Sequence, residues 1–488
     1  MDVFAQRRAG VLLHPTSLPG DACNGELGAD AYRFVDLLVD CGIGLWQTLP
    51  LGPTHDDLSP YQCLSVHAGD VRLISLQSLV EQGWLQDADS ASRDPNAERK
   101  RLLIAAHDGF RNQASAEDRE ALERFTAEHA AWLDDFALYL ALRAEHDGHA
   151  WFRWPQPLRD RNEAALRRAR ERLAEPIAQI RFEQFLFYRH WTQLRRYANE
   201  RGVLLFGDIP IFVAHDSADV WARREWFSVD AQGGCEVVAG VPPDYFSATG
   251  QRWGNPHYRW DALERDGYGW WLDRIRSQME MFDLVRIDHF RGFEAYWEID
   301  ASAETAVNGR WVTGPGDRFF EAVAAEFGSL PLVAEDLGLI TQEVTELRQR
   351  FNLPGMKILQ FAFDGSPNNP YLPHQHETLS VVYTGTHDNN TSLGWYQELG
   401  DEERERLHHY LGDSPEAMPW LLVRTALASV ARLAVIPMQD VLGLDGSHRM
   451  NVPGVTEGNW RWRFAWDQVR PEHLERLREW VHLYGRAD

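Results

Sequence analysis

Cysteine is scarce: Cys23, Cys41, Cys63 and Cys235 are the only four in 488 residues. They are too few and too scattered for a disulfide framework, and no two have the close spacing of a zinc site, so a reducing compartment is expected. Basic charge is short as well. Lys and Arg total 49 against 73 Asp and Glu, a formal charge of −24. A nucleic-acid or anionic membrane surface would have to overcome that field, so neutral or cationic ligands fit better. No apolar stretch reaches the length of a membrane span, and "MDVFAQRRAGVLL" lacks the small-residue pattern of a signal-peptide cleavage site. The expectation is a soluble, cytoplasmic protein with no nucleic-acid and no membrane partner.

Apolar content is ample. At 44% hydrophobic, the chain can bury one large α/β domain with insertions or two to three smaller domains. Twenty tryptophans hint at carbohydrate, because aromatic faces stack on sugar C–H faces, although core packing explains most Trp in any protein.

Short apolar runs ending in polar or charged residues recur along the chain: "GVLLHPTSL", "GLWQTLPLGP", "VLLFGDIPIFV", "LVRIDHF", "LPLVAEDLG", "MKILQFAFD", "TLSVVYTGTHD" and "LAVIPMQDVLG". Amphipathic helical stretches precede many of them, such as "DAYRFVDLLVDCG", "YGWWLDRIRSQMEMF", "DRFFEAVAAEFG" and "PWLLVRTALASVARL". Runs buried on both faces and separated by helices indicate a parallel sheet, and this many indicate a single (β/α)8 TIM barrel spanning the chain. The link "GSPNNPYLPHQHE" before the seventh run lacks a helix. Two insertions interrupt the pattern. Residues 80–176 are charged and helical, a subdomain after strand two. Residues 214–263 are rich in Gly, Pro and aromatics and are expected to lie over the barrel mouth.

Charged residues at the C-terminal ends of barrel strands face a common pocket. Here they are Asp208 on strand three, Arg286 and Asp288 on four, Glu335 on five, and His387 with Asp388 on seven. An Asp after a strand is often only a helix cap or turn former, and Asp216, Asp336 and Asp440 are assigned that role. Three carboxylates with an Arg and a His suit glycosidic chemistry, in which one carboxylate meets the anomeric carbon and another protonates the leaving oxygen. Arg286 would keep Asp288 ionised, and the apolar "PLVA" before Glu335 would raise that residue's pKa. A metal site from Asp288, His289, His387 and Asp388 is the weaker alternative, because His289 beside the acid fits packing or hydrogen bonding better.

"LVRIDHFRG", "LVAEDLG" and "YTGTHDNNT" resemble the three catalytic-strand motifs of the α-amylase superfamily. "GVLLHPTSLPG", "WQTLPLGPT", "SPYQ", "GDIPIFVAHDSADVW", "GVPPDYFSATGQRWGNP", "PGMKILQFAFD" and "RMNVPGVTEGNWRWR" narrow the resemblance to the amylomaltases, the 4-α-glucanotransferases of glycoside hydrolase family 77. These motifs span residues 10–463 and leave mainly the helical insertion unmatched. The resemblance implies Asp288 as nucleophile, Glu335 as general acid/base and Asp388 as the carboxylate that grips hydroxyls of the distorted sugar. By the same resemblance Arg286 and His387 line that subsite and Asp208 sits at its edge. Ser59 and Tyr61 in "SPYQ" bind substrate, with Tyr61 against the sugar ring. Tyr245, Phe246 and Trp253 form a loop over the glucan channel, and Gln251 contacts the chain. For Trp253 core packing competes with that role.

Two positions depart from the family pattern. Asp70 and Val71 stand where Asn-Pro is common, and Asn390 where an acid is common. The sequence leaves no room for the C-terminal β-domain of α-amylases, which favours the glucanotransferase. The activity implied is retaining transfer among α-1,4-glucans such as maltodextrins, amylose and maltotriose, with no cofactor and no metal. An α-1,4-glucan hydrolase using the same carboxylates is the first alternative. A catalytically silent glucan-binding protein is the second, and it would not require all three carboxylates.

Overall fold

The computed structural model describes residues 3–20, 24–87, 94–243, 247–328, 331–412 and 414–487. Twelve strands lie among them: β1 (Arg8–Leu12), β2 (Leu45–Gln47), β3 (Leu204–Pro210), β4 (Val237–Val241), β5 (Gln251–Arg252), β6 (Leu284–Asp288), β7 (Ala295–Asp300), β8 (Gly309–Thr313), β9 (Leu332–Ala334), β10 (Gly355–Ile358), β11 (Ser380–Tyr383) and β12 (Leu433–Pro437). Eight of these form one sheet in the order β10-β11-β12-β1-β2-β3-β6-β9, and every pairing in it is parallel. They are the eight apolar runs of the sequence. The seam between β9 and β10 is bridged by Ala334 N donating to Pro354 O at 2.9 Å and by Met356 N donating to Asp336 Oδ1 at 2.7 Å. The sheet is therefore a nearly closed barrel.

Alternation explains why these runs read as continuously apolar. On β12, Leu433 and Val435 point into the barrel with Leu45, Phe206, Leu284, Met356 and Tyr383, while Ala434 and Ile436 join the larger core under the helices. Both faces are dry, so a strand has no position at which a polar residue is free of cost. Helices Ala29–Asp40, Gly269–Met281, Asp317–Phe327 and Trp420–Ala428 form at the amphipathic stretches. The link before β11 holds only the 3-10 turn Pro373–Gln375. Gly207 in β3 is fixed by packing, because a Cβ there would run into the ring of Phe282.

Between β2 and β3 the chain forms helices Pro95–Gln113, Ala116–Glu128, Ala130–Glu145 and Glu163–Arg172, then Ala174–Asn199, which leads into β3. Asp94, Ser115 and Asn162 cap three of them with side-chain acceptors. Many tryptophans are structural: Trp46, Trp151, Trp191, Trp221 and Trp271 are fully buried. A second, antiparallel sheet in the order β5-β4-β7-β8 was not anticipated from sequence. It ties the Gly/Pro-rich insertion to the segment that follows β6. No helix among the described residues is long and apolar enough to cross a membrane.

Candidate active site

Register places the charges. β3 and β6 pair Phe206 with Leu284, Asp208 with Arg286 and Pro210 with Asp288. Leu284 points into the barrel, so Arg286 and Asp288, two and four residues on, share that face. Arg286 is buried and donates from Nη1 to Asp208 Oδ2 at 2.6 Å and from Nη2 to Asp288 Oδ1 at 2.7 Å. Burial disfavours its charge, but Asp208 and Asp288 outweigh burial and keep the guanidinium protonated. The costly "LVRID" is thus one network, with each charge partnered.

Asp208 also accepts from Tyr61 Oη at 2.7 Å. Burial pushes its carboxyl above the usual range although Arg286 pulls it down. The Tyr61 ring lies stacked 5.2 Å from His387. His387 is buried, which lowers its pKa and leaves the imidazole neutral, and its Nε2 stands 3.3 Å from Asp388 Oδ2.

β6 ends at Asp288, because the left-handed backbone of His289 (φ 54°) breaks the strand, and the His289 N–H donates to Glu335 Oε2 at 2.7 Å. Leu337 N donates to Glu335 Oε1 at 2.9 Å. Glu335 is therefore fixed by two backbone donors at the turn after β9. Burial first, and the charge of Asp288 second, push its carboxyl well above the ordinary carboxylate range. One paired carboxylate beside a second that favours its protonated form is the division of labour that glycosidic bond exchange requires.

The profile of a family described as 4-alpha-glucanotransferase, glycoside hydrolase family 77, matches residues 13–468. The chain belongs to this family. It is 51% identical over 487 residues to a 4-alpha-glucanotransferase of Thermus thermophilus, covering 97% of each chain. It is 44% identical over 496 residues to one from Synechocystis sp., covering 99% of this chain and 98% of the other. An amylomaltase of Streptococcus agalactiae, solved in complex with acarbose, superposes with a TM-score of 0.95 at 36% identity, covering 99% of this chain and 100% of that one.

Among the other residues that the family 77 resemblance implies, Asp388 is reached through His387. Ser59 accepts from Tyr61 N at 3.4 Å and so shapes the turn that presents Tyr61. Gln251 accepts from Trp253 Nε1 at 3.1 Å, and Trp253 meets His289 edge-on at 4.9 Å, so Trp253 reaches the turn after Asp288. Tyr245 and Phe246 lie outside the described residues. The acids assigned to local structure hold loops. Asp216 accepts from Tyr139 Oη at 2.7 Å, Asp336 bridges the barrel seam, and Asp440 accepts from Thr384 and Ser392 hydroxyls at 2.6 Å each. The departures from the family pattern have local partners: Asp70 pairs with Arg72 at 2.6 Å, and Asn390 donates to Glu398 at 2.8 Å. Among the described residues no three His, Cys, Asp or Glu side chains converge as metal ligands.

Sequence reasoning missed Asn451 and Arg449. Asn451 Nδ2 donates to Asp388 Oδ1 at 2.6 Å, and Arg449 Nη2 donates to the Asp388 carbonyl at 2.9 Å. Both stand in "RMNVPGVTEGNWRWR", a motif recognised without a role for either residue. Trp460 from the same stretch lies 6.0 Å from Tyr61 and 5.9 Å from His387.

Proposed function

We propose that the chain is a retaining 4-α-glucanotransferase that moves α-1,4-glucan segments from one maltodextrin or amylose chain to the 4-OH of another glucan or of glucose. The observation that carries this reading is the opposition of Asp288, held by Arg286, to a Glu335 carboxyl driven towards its protonated form. In the first step a carboxylate oxygen of Asp288 bonds to the anomeric carbon, the bond to the leaving O4 breaks, and that oxygen takes the proton of Glu335. In the second step Glu335 removes the proton of an incoming 4-OH, whose oxygen bonds to the anomeric carbon and releases Asp288. One α-1,4 bond is made for each one broken, so no cofactor or metal is called for.

Asp388, oriented by Asn451, grips hydroxyls of the distorted sugar in this reading. Arg286, His387 and Tyr61 line the cleavage subsite with Asp208 at its edge, and Ser59 supports Tyr61. Tyr245, Phe246 and Trp253 belong to the loop over the glucan channel, with Tyr245 and Phe246 stacking on the acceptor, and Gln251 contacts the chain. The names of the relatives favour transfer over hydrolysis, and the acarbose complex of a structural relative supports a cleft shaped for α-glucans. Residues 80–176 and 214–263 are insertions on one barrel domain in this reading, and the site of action is the cytoplasm.

The test is incubation with maltotriose alone and resolution of products by chain length. Glucose together with maltopentaose and longer chains is the expected outcome, and glucose with maltose alone would indicate a hydrolase. Asp288→Asn should abolish every product while glucan binding remains measurable, and turnover in that variant would sink the nucleophile assignment.

A further inference from the structure

Nine large hydrophobic side chains are exposed among the described residues, and three of them, Val307 (48%), Trp311 (41%) and Leu339 (56%), fall on one strip beside the catalytic turn. Trp297 and Arg291 link the neighbourhoods of these three residues. Trp297 Nε1 donates to the carbonyl of Ala306, next to Val307, at 2.9 Å. Trp297 pairs with Trp311 across β7 and β8, with ring centroids 5.2 Å apart. The guanidinium of Arg291 lies 3.9 Å from the Trp311 ring centroid and donates to the carbonyl of Leu339.

Each end of the strip is tied to the site. Arg291 comes three residues after Asp288, and Leu339 four after Glu335. At the far end Ala306 N donates to Thr249 O at 3.1 Å, in the turn that follows Tyr245 and Phe246 in sequence. The strip therefore runs from the Gly/Pro-rich aromatic loop to the loop that carries the general acid.

Packing accounts for only part of Trp311, whose ring stays exposed although Trp297 and Arg291 lie against it. Trp297 rests against the small cluster of Val238, Ile299 and Ala306, whereas Trp311 belongs to none of the hydrophobic clusters. Single exposed apolar residues are ordinary, but a connected row of them with an indole at its centre marks a contact surface. The occupant must be apolar on its faces and polar at its rim, because the strip is edged by the backbone carbonyl of Leu339 and by Arg310, which pairs with Glu298 at 2.6 Å. An α-glucan has this character, with C–H faces that stack on an indole and hydroxyls at its edges.

We propose that Trp311, flanked by Val307 and Leu339, is an outlying contact for the part of a long α-1,4-glucan that extends beyond the cleft. This rests on the glucanotransferase reading above. Arg291 holds the indole in place from one side, and the remaining surface takes the sugar. The contact gives a preference for long chains, since a short oligosaccharide bound across the reacting bond does not extend to it.

The experiment compares wild type, Trp311→Ala, Trp311→Phe and Leu339→Ser with amylose and with maltotriose, alongside sedimentation of each protein. Loss of one aromatic–sugar contact should raise KM for amylose roughly three- to tenfold in Trp311→Ala. The kcat for amylose and both constants for maltotriose should stay unchanged, Trp311→Phe should retain most of the affinity, and Leu339→Ser should show a smaller rise. Equal losses on both substrates would mean that Trp311 only props Arg291, and unchanged amylose kinetics would mean that no glucan binds there. Either result overturns the proposal. So would a wild-type dimer that Trp311→Ala converts to monomer, because the strip would then be covered by a second copy. Redistribution of maltotriose by wild type is the separate check on the glucanotransferase reading and does not involve the strip.

Discussion

Arg286 and Asp208 meet at 2.6 Å inside the barrel because β3 and β6 pair them in register. Both groups are buried, and Asp208 is the partner of Arg286 that lies deeper than Asp288. Removing one member of a buried pair leaves the other charge uncompensated, a loss of about 3 to 5 kcal/mol. Asp208→Asn should destabilise the fold by an amount near the lower end of that range, because Asn still accepts from Arg286 and Asp288 still pairs with it. Tyr61→Phe, which removes one hydrogen bond to the same carboxylate, should cost about 1 kcal/mol. Urea unfolding of the two variants checks the ranking, and equal costs would mean that the charge on Asp208 is not what matters.

In the proposed mechanism Glu335 sets the alkaline limit of activity. Burial, then the charge on Asp288, raises its carboxyl from 4.5 to about 8, so the free enzyme holds the donated proton at neutrality. The kcat/KM for maltotriose should be flat through neutral pH and fall about tenfold per unit above pH 8. Glu335→Gln should lose natural glucans steeply but retain much more activity with a glycosyl fluoride, whose leaving group needs no proton. Equal loss on both substrates would remove Glu335 from the acid role. Stability carries the same signature. The folded value lies above the unfolded one, so the stabilisation is fully present below about pH 4.5 and is lost as pH rises through about 8. The Tm of Glu335→Gln relative to wild type should therefore increase across that window and level off above it.

Asn451 is a test of orientation rather than of chemistry. Its amide holds Asp388 Oδ1 at 2.6 Å, and a hydrogen bond to a charged group contributes about 1.5 to 3 kcal/mol. Asn451→Ala should lower kcat/KM by about tenfold or more at every pH. Asn451→Asp places a second carboxylate against the first, which raises the proton affinity of the pair. Its activity should be the lowest of the three proteins at pH 7 and should recover towards the Ala variant on acidification. A pH profile of Asn451→Asp parallel to that of Asn451→Ala would mean that Asp388 is not charged when it acts.

The barrel was legible because its strands are dry on both faces and recur as short apolar runs that give way to polar or charged residues. "LVRID" is the clearest case: alternation assigns Leu284, Arg286 and Asp288 to one face, and only a second charged strand end could neutralise them. The antiparallel sheet was not legible. Val237–Val241 pairs with Ala295–Asp300 more than fifty residues further on, and nothing within "EVVAGV" announces a partner at that distance. Asn451 escaped for a different reason. A neutral amide in a loop carries no charge or period to single it out, and its role depends on an aspartate 63 residues away.

In a transferase a sugar must defeat water at the glycosyl-enzyme. Water is everywhere, so a transferase must keep it out or hold the acceptor in place, and orientation alone can supply effective molarities of roughly 10⁵ M. "GVPPDYFSATGQRW" is the segment suited to both tasks. Its described flanks are tied down, with Ser247 Oγ donating to Gly250 O at 2.7 Å and Thr249 O accepting from Ala306 N at 3.1 Å. In the sequence Tyr245 and Phe246 fall between strand β4 and that turn. Replacing either ring with a small side chain removes the apolar surface available to cover the cleft and to stack on an acceptor. Phe246→Ser and Tyr245→Ala should therefore raise the ratio of hydrolysis to transfer with maltotriose, while circular dichroism and Tm stay at wild-type values. Reducing-end release measured against chain-length redistribution at equal conversion gives that ratio. If it is unchanged in both variants, acceptor choice is controlled elsewhere, and Trp253 against His289 becomes the next position to vary.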